Sequence, residues 1–199
     1  MFEIEKKFRL NTETEKSLLE NAEFLGEKSF EDIYFDTDDY SLTKDDKWLR
    51  CREGNFEMKI PLPGNNKVCG NQYEELTEEQ KIKDDLKLEG NDRLDKVLEE
   101  NNYKPFCKIK TFRQEYKKEG YTIDVDKVDC GDFDYRLVEI ESLIDNPEEA
   151  NEVLKKIIEF GKSFGLKDER LRGKVVQYLK NKKSDHYDAL VKCRVVEDY

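Results

Sequence analysis

Glu3 and Glu5, Arg50 and Arg52, Asp124 and Asp126, and Glu139 and Glu141 are like-charged pairs, each spaced two residues apart. Lys7 follows the first pair at the same interval, and Glu57 and Lys59 form a mixed pair. In a β-strand that interval puts both side chains on one face. The intervening residues Ile4, Cys51, Met58, Val125 and Ile140 fall on the other face. Clustered carboxylates without histidine select a hard divalent cation such as Mg2+ or Mn2+. Clustered arginine and lysine select phosphate oxygens, arginine through its planar fork and lysine as a point charge. The acidic set is Glu3, Glu5, Asp124, Asp126, Glu139 and Glu141; the basic set is Lys7, Arg50, Arg52, Lys59, Arg113 and Lys174. Together they describe a metal–polyphosphate site, whose natural chemistry is hydrolysis or transfer of a phosphoryl group.

These residues need strands to hold them. For any one pair, the solvated side of an antiparallel sheet is a sufficient account. Across five strands that account weakens, because a solvated face mixes Thr, Ser, Gln and Lys, whereas these doublets are nearly pure. Like charges on one face are tolerable where counter-charges or ions sit opposite. A barrel with its apolar face outward under helices would turn the ionic faces into the lining of a tunnel. Alternation predicts strands over 2–8, 32–36, 48–52, 56–60, 72–76, 106–117, 121–128 and 136–143. Helical spacing predicts helices over 12–25 (capped by Thr12 or Thr14, stopped by Gly26), over 82–102, from Pro147 to Gly161 or Gly165, and over 174–191. The class is α+β with an antiparallel sheet or barrel. No Gly-, Pro- or Ser-rich linker divides the chain, so residues 1–199 are expected to form one domain.

Composition narrows the partners. Mean hydropathy is −0.94, yet eleven Phe and ten Tyr argue against disorder. A net charge of −11 disfavours a nucleic-acid backbone or an anionic membrane as partner. A small anionic ligand remains compatible where cations are concentrated. The five cysteines are odd in number and form no C-x-x-C pair. Neither a signal peptide nor a long apolar run is evident. A cytoplasmic, monomeric protein with reduced thiols is the expectation. The single histidine, His186, gives little support to a zinc or Ser-His site and is expected at the surface.

Alone, E-x-E-x-K says little. Followed in order by Asp32-Ile33-Tyr34-Phe35-Asp36-Thr37, Lys47-Trp48-Leu49-Arg50-Cys51-Arg52, Phe56-Glu57-Met58-Lys59 and Tyr73-Glu74-Glu75-Leu76-Thr77, it resembles the CYTH superfamily of triphosphate tunnel metalloenzymes. Arg113, Asp124, Glu139-Ile140-Glu141 and Lys174-Val175-Val176-Gln177 complete the series, which within the superfamily is most similar to animal-type thiamine triphosphatases. The resemblance implies an eight-stranded antiparallel closed barrel with an ionic interior that binds triphosphate and Mg2+, with Mn2+ as a substitute. Under it Glu3, Glu5, Asp124, Glu139 and Glu141 hold the metal, with Asp126 the alternative to Asp124. Lys7, Arg50, Arg52, Arg113 and Lys174 grip the phosphates, and Glu75 joins the substrate-binding set. Lys59 with Tyr34 activates the attacking water, and Trp48 stacks on the thiamine portion. A lysine base implies an alkaline rate optimum. The implied activity is hydrolysis of thiamine triphosphate to the diphosphate and phosphate. The alternatives are an inorganic tripolyphosphatase or nucleoside triphosphatase of the same fold, or a non-catalytic polyphosphate-binding module.

Overall fold

The computed structural model describes residues 2–62, 71–130 and 134–198. Its strands are β1 (Phe2–Phe8), β2 (Glu23–Asp36), β3 (Trp48–Arg52), β4 (Asn55–Pro61), β5 (Asn71–Leu76), β6 (Lys104–Lys118), β7 (Tyr121–Asp129) and β8 (Asp134–Ile144). Their hydrogen-bonded order, β1-β5-β4-β3-β2-β6-β7-β8, closes on β1 as an antiparallel eight-stranded barrel. Seven α-helices are described: α1 (Thr12–Leu19), α2 (Ser41–Lys44), α3 (Glu79–Leu86), α4 (Leu94–Glu100), α5 (Ala150–Ser163), α6 (Lys174–Lys182) and α7 (Ser184–Lys192). The expected α+β barrel is the observed one. Two of its hairpins turn on X-Gly pairs with positive φ, Glu53-Gly54 (50° and 86°) and Glu119-Gly120 (51° and 88°). That backbone matches the twist of paired strands and favours glycine at the second position. Among the described residues no helix is long and apolar enough to cross a membrane.

Contacts sort the chain into two units, Met1–Phe30 with Leu62–Glu74 and Lys110–Gly173, and Glu31–Pro61 with Glu75–Ile109 and Lys174–Tyr199. In the first, Ile4, Phe8, Ile123, Val125, Val138 and Ile140 form one buried cluster with Leu154, Ile157 and Phe160 of α5. In the second, Leu49, Phe56 and Met58 are buried with Ile82 of α3 and Leu94 and Leu98 of α4. Each such side chain contributes about 1.5–3 kcal/mol on burial. The apolar strand faces therefore lie under helices, and in a closed barrel the opposite, charged faces are the inner ones.

Several element boundaries differ from expectation. The helix expected over 12–25 ends at Leu19, and Phe24, Leu25 and Gly26 belong to β2. Its cap is Asn11 rather than a threonine: Asn11 Oδ1 accepts from Glu13 N at 3.0 Å and Thr14 N at 2.9 Å, while Thr14 Oγ1 accepts from Asn11 N. Lys118 Nζ then takes the carbonyls of Leu18 (2.9 Å) and Glu20 (2.8 Å), closing the helix early. The stretch 82–102 is two helices, interrupted where Lys87 is left-handed (φ 55°) and Gly90 has φ 131°. The stretch 174–191 likewise breaks at Lys183, whose φ of −139° is not helical. Gly161 does not end α5 but lies inside it, and the helix closes at Phe164 before Gly165.

His186 is buried rather than exposed. Asp36 accepts from the Leu42 and Thr43 amides at 2.9 Å each, capping α2 from a distance. Thr43 Oγ1 donates to Asp36 Oδ2 at 2.7 Å, which commits its only proton, so His186 Nε2 at 2.7 Å donates to Thr43. The ring also stacks on Tyr40 with centroids 3.9 Å apart.

Two outcomes follow for stability. A Cβ at Gly161 would lie 2.7 Å from Phe8 Cζ. Gly161→Ala gains about 1 kcal/mol of helix propensity but loses more to overpacking, for a net cost of about 1–2 kcal/mol in urea unfolding. Burial pulls the His186 pKa down to about 4 from an ordinary 6.5, against the pull of Asp36. The unfolded chain then binds the proton more tightly, so the contribution of His186 is complete above pH 6.5 and is lost as pH falls toward 4. Its share of the slope is at most about 1.4 kcal/mol per pH unit, measured as the difference between wild-type and His186→Phe stability profiles.

Candidate active site

In the first unit β7, β8 and β1 are neighbours, and register sets Asp124 opposite Glu139, Glu139 opposite Lys7, and Glu141 opposite Glu5. The charged face of three strands thus becomes one continuous row. Carboxylate oxygens of Glu3, Glu5 and Glu141 all lie within 4.8 Å of one another. Lys7 Nζ bonds Glu5 and stands 3.3 Å from Glu139. Arg113 reaches over from β6, where register sets it opposite Asp126. Its Nε and Nη2 donate to the two Asp126 oxygens at 2.6 and 2.5 Å, Nη2 also reaches Glu139 at 2.9 Å, and Nη1 bonds Asp124.

Acid outweighs base in this unit. Burial, then the charges of Glu3, Asp124, Glu5 and Glu139, push the Glu141 carboxyl up to about 8. Burial, against Arg113 and with Glu139 and Asp126, pushes Asp124 up to about 7. Asp126 gives both oxygens to Arg113, whereas Asp124 Oδ1 is buried and finds no hydrogen-bond donor among the described residues. Oxygens sharing an octahedral Mg2+ at about 2.1 Å stand about 3–4 Å apart. A set of hard oxygen donors at nearly that spacing, beside an orphaned carboxylate oxygen, fits a hard divalent cation.

In the second unit Tyr34 stands opposite Arg50, and Arg50 opposite Glu57; Asp32 stands opposite Arg52, and Trp48 opposite Lys59. Asp32 is fully buried. It accepts from Arg52 Nε at 2.7 Å and Nη2 at 3.1 Å, and from Lys174 Nζ at 2.6 Å, with Arg50 Nε at 4.0 Å. Burial alone would raise its pKa; the Arg52 hydrogen bond with the charges of Lys174 and Arg50 outweighs it and holds the carboxyl far below the usual range. Arg50 also bonds Glu57 (2.5–2.6 Å) and Glu75 (3.3 Å). Burial, then the charge of Asp32, keeps the Tyr34 phenol protonated. Trp48 lies on the charged strand face, not in the apolar core, and its Nε1 donates to Asp46 Oδ1 at 3.0 Å.

The structure thus gathers Glu3, Glu5, Lys7, Arg113, Asp124, Glu139 and Glu141 in one unit, and Tyr34, Arg50, Arg52, Glu75 and Lys174 around Asp32 and Arg50 in the other, with Trp48 and Lys59 paired on the adjoining register. Asp32, Glu57 and Asp46 are not among the site residues that the sequence assigns. The signal for Asp32 was its parity with Tyr34 in β2, two residues apart like Arg50 and Arg52 in the strand it pairs with.

A closed antiparallel eight-stranded barrel whose inner strand faces pair acids with cations defines the class: a tunnel-type barrel with an ionic interior. The CYTH domain family model matches residues 1–173, and the chain belongs to that family. It is 32% identical to the thiamine-triphosphatase of Macaca fascicularis over 96% of this chain and 90% of that one, and 31% identical to the human thiamine-triphosphatase over the same shares. The solved structure of the PH1819 protein from Pyrococcus horikoshii OT3 superposes with a TM-score of 0.67 at 24% identity, covering 90% of this chain and 99% of that one. That likeness carries the fold.

Glu141→Gln removes one member of the repelling acid set. The metal-free variant is expected to melt a few degrees higher, about 1 kcal/mol. The rise in melting temperature that Mg2+ gives the wild type should shrink or vanish. Calorimetry with and without Mg2+ measures both.

Proposed function

We propose that this protein is a Mg2+-dependent hydrolase that cleaves the terminal phosphate of thiamine triphosphate, giving thiamine diphosphate and phosphate. One observation carries the reading: the buried acid and cation clusters occur on a chain 32% identical, over 96% of its length, to a thiamine-triphosphatase. Glu3, Glu5, Glu139 and Glu141 hold the metal together with Asp124, whose orphaned Oδ1 supports it over Asp126. A divalent cation held there would draw charge from phosphate oxygens that otherwise repel a nucleophile, with Mn2+ a substitute for Mg2+.

Lys7, Arg50, Arg52, Arg113 and Lys174 bind the phosphate chain and stabilise the charge that builds on it in the transition state. Lys59 Nζ takes a proton from the attacking water as the water oxygen bonds to the terminal phosphorus, a role that requires its unprotonated form. The bond from that phosphorus to the bridging oxygen breaks, and its electron pair leaves with the diphosphate. Tyr34, held protonated by its surroundings, acts with Lys59 to orient and activate the water by hydrogen bonding. Trp48 offers its ring to the thiamine portion, and Glu75 steadies Arg50 within the binding set. We take residues 1–199 as one functional domain, working as a cytoplasmic monomer on a small-molecule substrate, without nucleic acid or membrane. The net charge of −11 supports the exclusion of nucleic acid and anionic membrane.

A panel of thiamine triphosphate, tripolyphosphate and ATP, with and without Mg2+ between pH 6 and 10, tests the proposal. Thiamine triphosphate should be preferred, with Mg2+ required and an alkaline optimum. Lys59→Ala should lower kcat about 10²–10⁴-fold. Better turnover of tripolyphosphate would reassign the substrate and keep the hydrolase; product formation without any metal would remove the metal role.

A further inference from the structure

Among the described residues of the second unit, Asp32 is the carboxylate that meets three of the cations assigned to the phosphates. It takes two guanidinium donors of Arg52 and the ammonium of Lys174, and it stands 4.0 Å from Arg50. Nothing about these cations favours their assembly. Three like charges this close repel, and burial of Lys174 with half-burial of Arg50 and Arg52 removes much of the water that would otherwise screen them. Lys174 is also the first residue of α6, whose first turn contains no acidic residue, so the positive end of the helix dipole opposes its ammonium. Glu57 and Glu75 bond Arg50; for Arg52 and Lys174 the offset comes from Asp32, fully buried on β2.

We propose that Asp32 is a positioning residue, an internal counter-anion that fixes Arg52, Lys174 and Arg50 in a phosphate-gripping array and caps the array's positive charge. Two effects of opposite sign follow. With Asp32 in place the cations point where the barrel directs them, and charge aligned in advance lowers the transition-state barrier without rearrangement. Asp32 also competes with any incoming polyanion for the same donors, so it weakens ground-state binding. It favours turnover at the expense of affinity. This rests on the triphosphatase reading of the site, but the binding half of the argument needs only the cations.

Asp32→Asn keeps shape and one acceptor oxygen while removing the charge. Calorimetric titration with inorganic tripolyphosphate, without metal, is expected to show affinity at least fivefold tighter than wild type. Steady-state assays with Mg2+ and thiamine triphosphate or tripolyphosphate should show kcat at least tenfold lower with KM unchanged or reduced. Merely structural damage raises KM and lowers affinity together, which would overturn the proposal, as would kcat within threefold of wild type. A wild type inactive on every triphosphate defeats the functional reading alone, and the titration still decides the role of Asp32. Where Asp32→Asn is too unstable to assay, the double variant Asp32→Asn/Arg52→Gln restores the charge balance. It is compared with Arg52→Gln alone: under the proposal the double variant binds metal-free tripolyphosphate at least fivefold tighter than Arg52→Gln, because Lys174 is released from Asp32, and equal or weaker binding would refute it.

Discussion

A guanidinium drawn largely out of water is tolerable where a carboxylate meets it, and this fold satisfies that condition for three half-buried arginines through strand register. Arg52 faces Asp32, Arg50 faces Glu57 and Arg113 faces Asp126, each directly opposite on the neighbouring strand. In all three the Nε donates to the acid, at 2.6–2.7 Å. A guanidinium carries five donors in a rigid plane, so fixing the Nε edge fixes the direction of the rest. The acids are therefore as necessary to the cation array as the cations themselves.

This dependence makes register the controlling variable. A slip of one residue between β2 and β3 would turn Arg50 and Arg52 toward the helices and Leu49 and Cys51 toward the inner face. The apolar clusters oppose that slip. Leu49 and Met58 are paired across β3 and β4, and both are sealed under α3 and α4. Ile4, Val138 and Ile140 do the same under α5, where the close approach of Phe8 to Gly161 locks the helix over β1. The hydrophobic side of each strand thus specifies where the ionic side points, and its burial offsets the cost of holding charge out of water.

Period-two charge doublets made the strands and most site residues legible, because alternation is local and survives any tertiary context. All eight strands were visible in that pattern, although β2 begins nine residues earlier than its alternation suggested. Helix ends were less legible because distant groups decide them. Lys118, from β6, closes α1, and the carboxylate of Glu79 at the start of α3 accepts from Leu94 N at the start of α4. Asp32 escaped notice for a related reason: a single acid in an aromatic strand carries no doublet, and its meaning comes from Arg52 and Lys174, 20 and 142 residues away. His186 was misplaced because its partners Thr43 and Tyr40 belong to a four-residue helix and its cap, too short to show any periodicity.

The two charged clusters shift their carboxylates in opposite directions. In the first, burial and mutual repulsion push Asp124 and Glu141 up to about 7 and 8, so the acids lack counter-charge. In the second, the Asp32 carboxyl is driven down because cations outweigh the acid they surround. Apolar substitutes of similar volume would relieve either imbalance at little cost to the fold, since replacing buried ionic groups by well-packed hydrophobic ones is often neutral or stabilising. An imbalance kept on strands whose other faces are so well packed is explained by what relieves it. Within the first unit a hard divalent cation would neutralise the crowded acids, and within the second a polyanion would meet the cations that gather at Asp32.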